Sequence, residues 1–98
     1  MHDKKSRHVT IDGRRWKMRK VRTLRRPGDC DDPNTPGKEI RLRDSLKGKK
    51  RLDVIMHEVI HAWDFKLDEE AVMQFGNEVS QILWDEGYRN INELKELG

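Results

Sequence analysis

Residues 38–64, KEIRLRDSLKGKKRLDVIMHEVIHAWD, change period midway, and the change decides the fold. Lys38-Glu39-Ile40-Arg41-Leu42-Arg43 alternates polar and apolar side chains, the two-residue repeat of a strand. Asp44 to Gly48 is a connection, and from about Lys49 to Asp64 the apolar residues recur at helical spacing. Leu52, Ile55, Met56, Val59, Ala62 and Trp63 fall on one side of the wheel and form the expected core stripe. A second helix is expected from Asp68, whose side chain suits an N-cap, with Glu69 and Glu70 in the first turn where the dipole favours anions. Its stripe is Val72, Phe75, Val79, Ile82 and Leu83, and it should stop near Gly87. Asn92 to Leu97 reads as a short terminal helix, and Trp63 and Trp84 read as core anchors.

Upstream, Val9 to Met18 reads as a β-hairpin around Asp12-Gly13, the pair favoured where both turn residues need positive φ. The register places Val9, Ile11, Trp16 and Met18 on the buried side and Thr10, Arg15, Lys17 and Arg19 on the outer side. All three prolines fall between Arg26 and Gly37, so that stretch is expected to be loop without a regular element. The order β-β-β-α-α predicts an α+β domain, with helices on one face of a small three-stranded sheet, antiparallel or mixed. Residues 1–98 form one domain, with hairpin, Pro/Gly loop and third strand over 1–48 and the helical half over 49–98.

Charged residues make up 40 % of the chain, yet the formal charge is only +3, which leaves it able to fold. The charge is segregated: residues 1–51 hold 18 Lys/Arg against 7 Asp/Glu, and residues 52–98 hold 3 against 11. No apolar run approaches a membrane span, and Met1 to Lys5 lack the apolar segment of a secretory signal. A single cysteine, Cys30, excludes a disulfide scaffold and is read as a small apolar residue in the interior. The expectation is a small protein of the reducing cytoplasm.

His57-Glu58-Val59-Ile60-His61 is an H-E-x-x-H on the first helix. Residues i and i+4 lie one turn apart on one face, so both imidazoles can reach one Zn²⁺. Glu58, about 100° round the helix, is placed to reach a water in the open coordination position and act as its general base. Such a centre hydrolyses peptide bonds through a zinc-bound water. A third ligand is needed. A metzincin would require Gly and a further ligand where this chain has Asp64 and Leu67, which excludes that class. Glu69 points toward the first helix by its phase and is the leading candidate, with Glu70 next. Asp64 shares the phase of the histidines if the helix runs that far, as ligand or as partner to an imidazole N–H. His2 and His8 have no ligand spacing and receive no role.

The segment HEVIHAWDFKLDEEAVMQFGNEVSQILWDEGYR, residues 57–89, preceded by the strand KEIRLR, resembles the small gluzincin-type zinc metallopeptidases. It is similar in particular to the short H-E-x-x-H proteins encoded by phages and prophages, the SprT-like group. The resemblance covers about residues 28 to 89, including Gly28-Asp29-Cys30. It implies a minimal zincin-like fold, a protein or peptide substrate, and a host-cytoplasm location if the protein is phage-encoded. It also implies His57, His61 and Glu69 as zinc ligands with Glu58 as base. The departure is the spacing, since only seven residues separate His61 from Glu69.

Eight cations crowd into residues 14–26. Arg15, Lys17 and Arg19, on the outer side of the hairpin, are candidates for contact with a nucleic-acid backbone. The alternative to the enzyme is therefore a basic nucleic-acid-binding or inhibitory module whose zinc is structural or vestigial.

Overall fold

The computed structural model describes residues 6–97, and His2 with the rest of the Met1–Lys5 segment lies outside the described residues. The elements are β1 (Ser6–Ile11), β2 (Arg14–Val21), β3 (Gly28–Cys30), β4 (Glu39–Arg43), α1 (Gly48–Trp63), α2 (Glu69–Asp85) and α3 (Ile91–Leu97). The fold is α+β, with a four-stranded mixed sheet in the order β1-β2-β4-β3. The hairpin follows its sequence: Asp12 and Gly13 have φ of 50° and 72°, and Val9 pairs with Trp16. β2 and β4 are parallel, while β3 runs antiparallel to β4 at the sheet edge.

β3 corrects the expectation of three strands and of a structureless Pro/Gly loop. Gly28, Asp29 and Cys30 sit between Pro27 and Pro33, so their own N–H groups remain available to a ladder. A parallel β2–β4 pair requires a long crossover, and this short stretch of it doubles back along β4. The pairing continues beyond the strand, with Arg43 N–H donating to the Pro27 carbonyl and Asp31 N–H to that of Glu39.

Ile11, Trp16, Met18, Ile40 and Leu42 form the inner face of the sheet and pack with Val54 and Ala62 of α1. α2 packs on α1 rather than on the sheet, which makes α1 a middle layer. A middle helix is covered on more than one side. Of its buried residues, Val54, Glu58 and Ala62 centre on Glu58, roughly a quarter turn from the expected stripe, and Ile60 lies nearly opposite, against Gly76 of α2. Trp63, the last residue of α1, is 59 % exposed rather than a core anchor. Trp84 is half-buried.

α2 also departs from its apolar pattern. Its buried positions are Val72, Gly76 and Ser80, one every four residues, while Phe75 and Ile82 are exposed. Small side chains let α2 approach α1: an added Cβ at Gly76 would lie 3.7 Å from the His57 backbone nitrogen. Asp68 caps α2 as expected, its carboxylate accepting from Glu70 N–H and Ala71 N–H at 3.1 and 3.3 Å. Gly87, with φ of 94°, follows the Glu86 C-cap. No helix among the described residues is long and apolar enough to cross a membrane.

Candidate metal centre

His57 and His61 lie one turn apart on α1, and the first residue of α2, Glu69, reaches across to both. The Asp68 cap is what sets this up, since it fixes the start of α2 and turns the next side chain toward α1. Glu69 Oε1 is 2.9 Å from His57 Nε2, and Oε2 is 3.0 Å from His61 Nε2. The two Nε2 atoms are 3.1 Å apart. Three donors of the right type therefore converge on one point, and they form a triad able to hold a metal ion. Tetrahedral bonds of about 2.0–2.1 Å place neighbouring ligand atoms about 3.3 Å apart, close to these separations. The histidine side chains are largely buried and Glu69 is 61 % exposed, so the triad opens to solvent on one side.

Asp64 and Glu70 are not brought to the triad. α1 stops at Trp63 and Asp64 turns to an extended conformation (φ −143°), which takes it out of phase with the histidines. Its carboxylate instead accepts from Lys66 N–H at 3.2 Å. Glu70 is exposed, its backbone N–H bound to the Asp68 cap. His8 lies exposed on β1.

Glu58 is only 7 % exposed and faces the edge strand. A Cβ added to Gly28 would come within 3.2 Å of Glu58 Cγ and 2.8 Å of Val54 Cγ1. Glycine is thus what lets β3 lie against α1 beside the carboxyl group. Burial pushes Glu58 up to about pKa 7, the charges of Asp29 and Glu69 push the same way, and Arg26 opposes them. A carboxyl group in that range can take and return a proton near neutrality.

A cavity of about 480 Å³ joins these parts, with His57, Glu58, His61 and Glu69 on the helical side and Gly28 and Cys30 on the strand side. A second, of about 380 Å³, shares Arg26, Gly28, His57 and Glu58 with it, so the cleft extends to both sides of Glu58. Cys30 is half-buried in this wall, and burial, then the charges of Glu58 and Asp31, push its thiol up to about pKa 12. It stays a protonated thiol rather than a nucleophile. The contribution of β3 was missed in the sequence. The signal available was Gly28-Asp29-Cys30 itself, a proline-free stretch within a proline-rich one.

The hairpin cations are placed differently from one another. Arg15 is exposed, Lys17 half-buried, and Arg19 donates to Glu39 Oε1 at 3.3 Å. Beside them Arg41 donates to Asp29 and Asp31 at 2.6 Å each and to Glu39 at 3.2 Å. This hydrogen bonding holds the Asp31 carboxyl below its usual range. Much of the outer face is therefore a neutralised ion network. Compared with known proteins, the chain matches no family model, no curated protein and no solved structure.

Proposed function

We propose that the protein is a zinc-dependent metallopeptidase in which His57, His61 and Glu69 hold the metal and Glu58 is the general base. The observation that carries this reading is the meeting of two imidazoles and a carboxylate within 2.9–3.1 Å beside a second, buried carboxyl group in the same cavity. Zinc bound there would supply Lewis-acid polarisation of the scissile carbonyl and of the attacking water. Glu58 takes the proton of that water and returns it to the leaving amine nitrogen, which its raised pKa suits at neutral pH. The cleft on either side of Glu58 gives an extended peptide room to cross the site. A vestigial or purely structural zinc has no use for a desolvated carboxyl group beside it, which favours the enzyme over the binding module.

The test is hydrolysis of a quenched fluorescent peptide library by zinc-loaded protein. Glu58→Gln should keep zinc and fold while losing about 10²–10⁴-fold in rate. Equal rates in the two proteins would refute the assignment of Glu58.

A further inference from the structure

Sharing no lining residue with the clefts at the metal centre, a cavity of about 280 Å³ lies where β1, the first half of α1 and the end of α2 with the chain after it meet. Its lining residues include three arginines, Arg7, Arg51 and Arg89, and the aromatic residues Trp84 and Tyr88, with no Asp or Glu among them. None of these arginines forms a salt bridge among the described residues, in contrast to Arg19 and Arg41 on the outer face of the sheet. Arg7 Nη2 rests 3.9 Å from the Met18 sulfur. Arg89 is held by neutral partners only: it lies 3.5 Å over the Trp84 ring and donates to the Trp84 and Tyr88 carbonyls at 2.6 and 3.1 Å. Its position is fixed, and no carboxylate pairs with it among the described residues.

Arg51 adds to the imbalance. The first turn of α1 carries Lys49, Lys50 and Arg51 and no acidic residue, although the dipole there favours anions. Lys49 is neutralised by Asp53 at 3.1 Å, while Arg51 faces the cavity. The first N–H of the helix, that of Gly48, already donates to the Glu93 carboxylate at 2.9 Å. An incoming anion must therefore be held by the guanidiniums. An anion in the hollow would meet cations from three separate elements, and charge-assisted hydrogen bonds to guanidinium groups are among the stronger ones. The hollow is at the small end of ligand sites, about 300 Å³, and Tyr88, 65 % exposed at its rim, offers a free aromatic face.

We propose that this cavity binds a phosphate group carried beside an aromatic base, a nucleotide unit, with Arg7, Arg51 and Arg89 on the phosphate and Tyr88 stacked on the base. Guanidinium groups match phosphate oxygens in pairs, and base stacking on an aromatic ring is tolerant of sequence. The unit can come from a free nucleotide or from a single strand, and the two sources differ in salt dependence and in affinity.

The experiment uses the full chain and three probes: a short labelled oligothymidylate by fluorescence anisotropy, and thymidine monophosphate and inorganic phosphate by calorimetry. Binding at low salt is expected, and Arg7→Gln and Arg51→Gln should each weaken it about tenfold. For the strand each should also lower the log–log salt slope by about 0.7. Tyr88→Ala should weaken both nucleotide probes and leave inorganic phosphate unchanged. A strand that binds more tightly than the mononucleotide assigns the site to nucleic acid, and equal affinities assign it to the free nucleotide. Arg89 is left intact because its stacking supports Trp84. Absence of binding by all three probes at low salt would overturn the proposal. So would loss of binding in an Arg15→Gln/Lys17→Gln variant while Arg7→Gln and Arg51→Gln bind as before. No arm reads hydrolysis or metal content, so the result is independent of the proposed peptidase activity.

Discussion

Near its N-terminal end α1 brings Arg51 to a cavity that Arg7 and Arg89 also line from other elements. Three turns along, at its C-terminal end, the same helix gathers His57, His61, Glu58 and the Glu69 carboxylate. The first group has no carboxylate among its lining residues, the nearby Glu93 being bound to the Gly48 N–H, and the second has the donor set of a cation site. Each arrangement is electrostatically incomplete in the protein alone, with opposite sign. On the outer face of the sheet, by contrast, Arg41 is matched by Asp29, Asp31 and Glu39. The difference teaches that this chain pairs its charges in places, Lys49 with Asp53 at the start of α1 included, and leaves Arg7, Arg51 and Arg89 without a carboxylate partner among the described residues.

The largest expected effect breaks the cation end. Zinc at about 1,000 times its Kd stabilises by about 4 kcal/mol, so chelation should lower Tm by more than about 10 °C in a domain of this size. His57→Ala and His61→Ala should show no such shift. A chelator-insensitive melting curve for the wild type would remove the bridge that Glu69 forms between α1 and α2.

Next in size is the pH dependence of chelator-treated protein. The Glu58 pKa is about 7 folded against 4.5 as the ordinary value, so the folded state keeps its proton longer than the unfolded chain. Stability therefore falls as pH rises from about 4.5 to about 7 and is level beyond, by up to about 3 kcal/mol. Glu58→Gln should match the wild type near pH 4 and be more stable near pH 8, read by urea denaturation. A variant less stable than wild type at the higher pH would contradict the burial of an unpaired carboxyl group.

Two glycines sharpen the comparison further. Gly28→Ala places a Cβ 2.8 Å from Val54 Cγ1 and 3.1 Å from the Arg41 carbonyl oxygen, and should destabilise by about 1–3 kcal/mol. Gly76→Ala meets only ordinary contact, 3.5 Å from Ile60 Cδ1, and gains helix propensity, so it should be neutral or stabilising by up to about 1 kcal/mol. Equal losses at both positions would mean that β3 does not press on α1. The smallest effect is in the first turn of α1, where Lys50→Glu places an anion at the positive end of the helix dipole and should stabilise by about 0.3–1 kcal/mol, less at high salt.

What could be read in the sequence and what could not divide along physical lines. The Asp12-Gly13 turn, the Asp68 cap and the spacing of His57 and His61 are local, and each is decided by a few neighbouring residues. The nearness of Glu69 to the histidines was likewise legible from phase and cap together. β3 was not, because a three-residue edge strand owes its existence to β4, a partner ten residues away with its own pattern. The phase of α1 was misread because a stripe on a wheel assumes one buried side, whereas this helix lies between two layers. The α2 face was hidden for a related reason: Gly76 and Ser80 make the contact, and a search for apolar periodicity sees Phe75 and Ile82 instead. The meeting of Arg7, Arg51 and Arg89 is set by three separate elements and has no sequence signature.

Calorimetric titration of zinc into chelator-treated protein tests the central claim most directly, with Glu69→Ala, Glu70→Ala and Asp64→Asn alongside the wild type. One zinc per chain is predicted, with affinity reduced at least about tenfold in Glu69→Ala and unchanged in the other two. Failure of the wild type to bind zinc, or a Glu69→Ala variant that binds it as tightly as the wild type, would contradict the metal centre proposed for His57, His61 and Glu69.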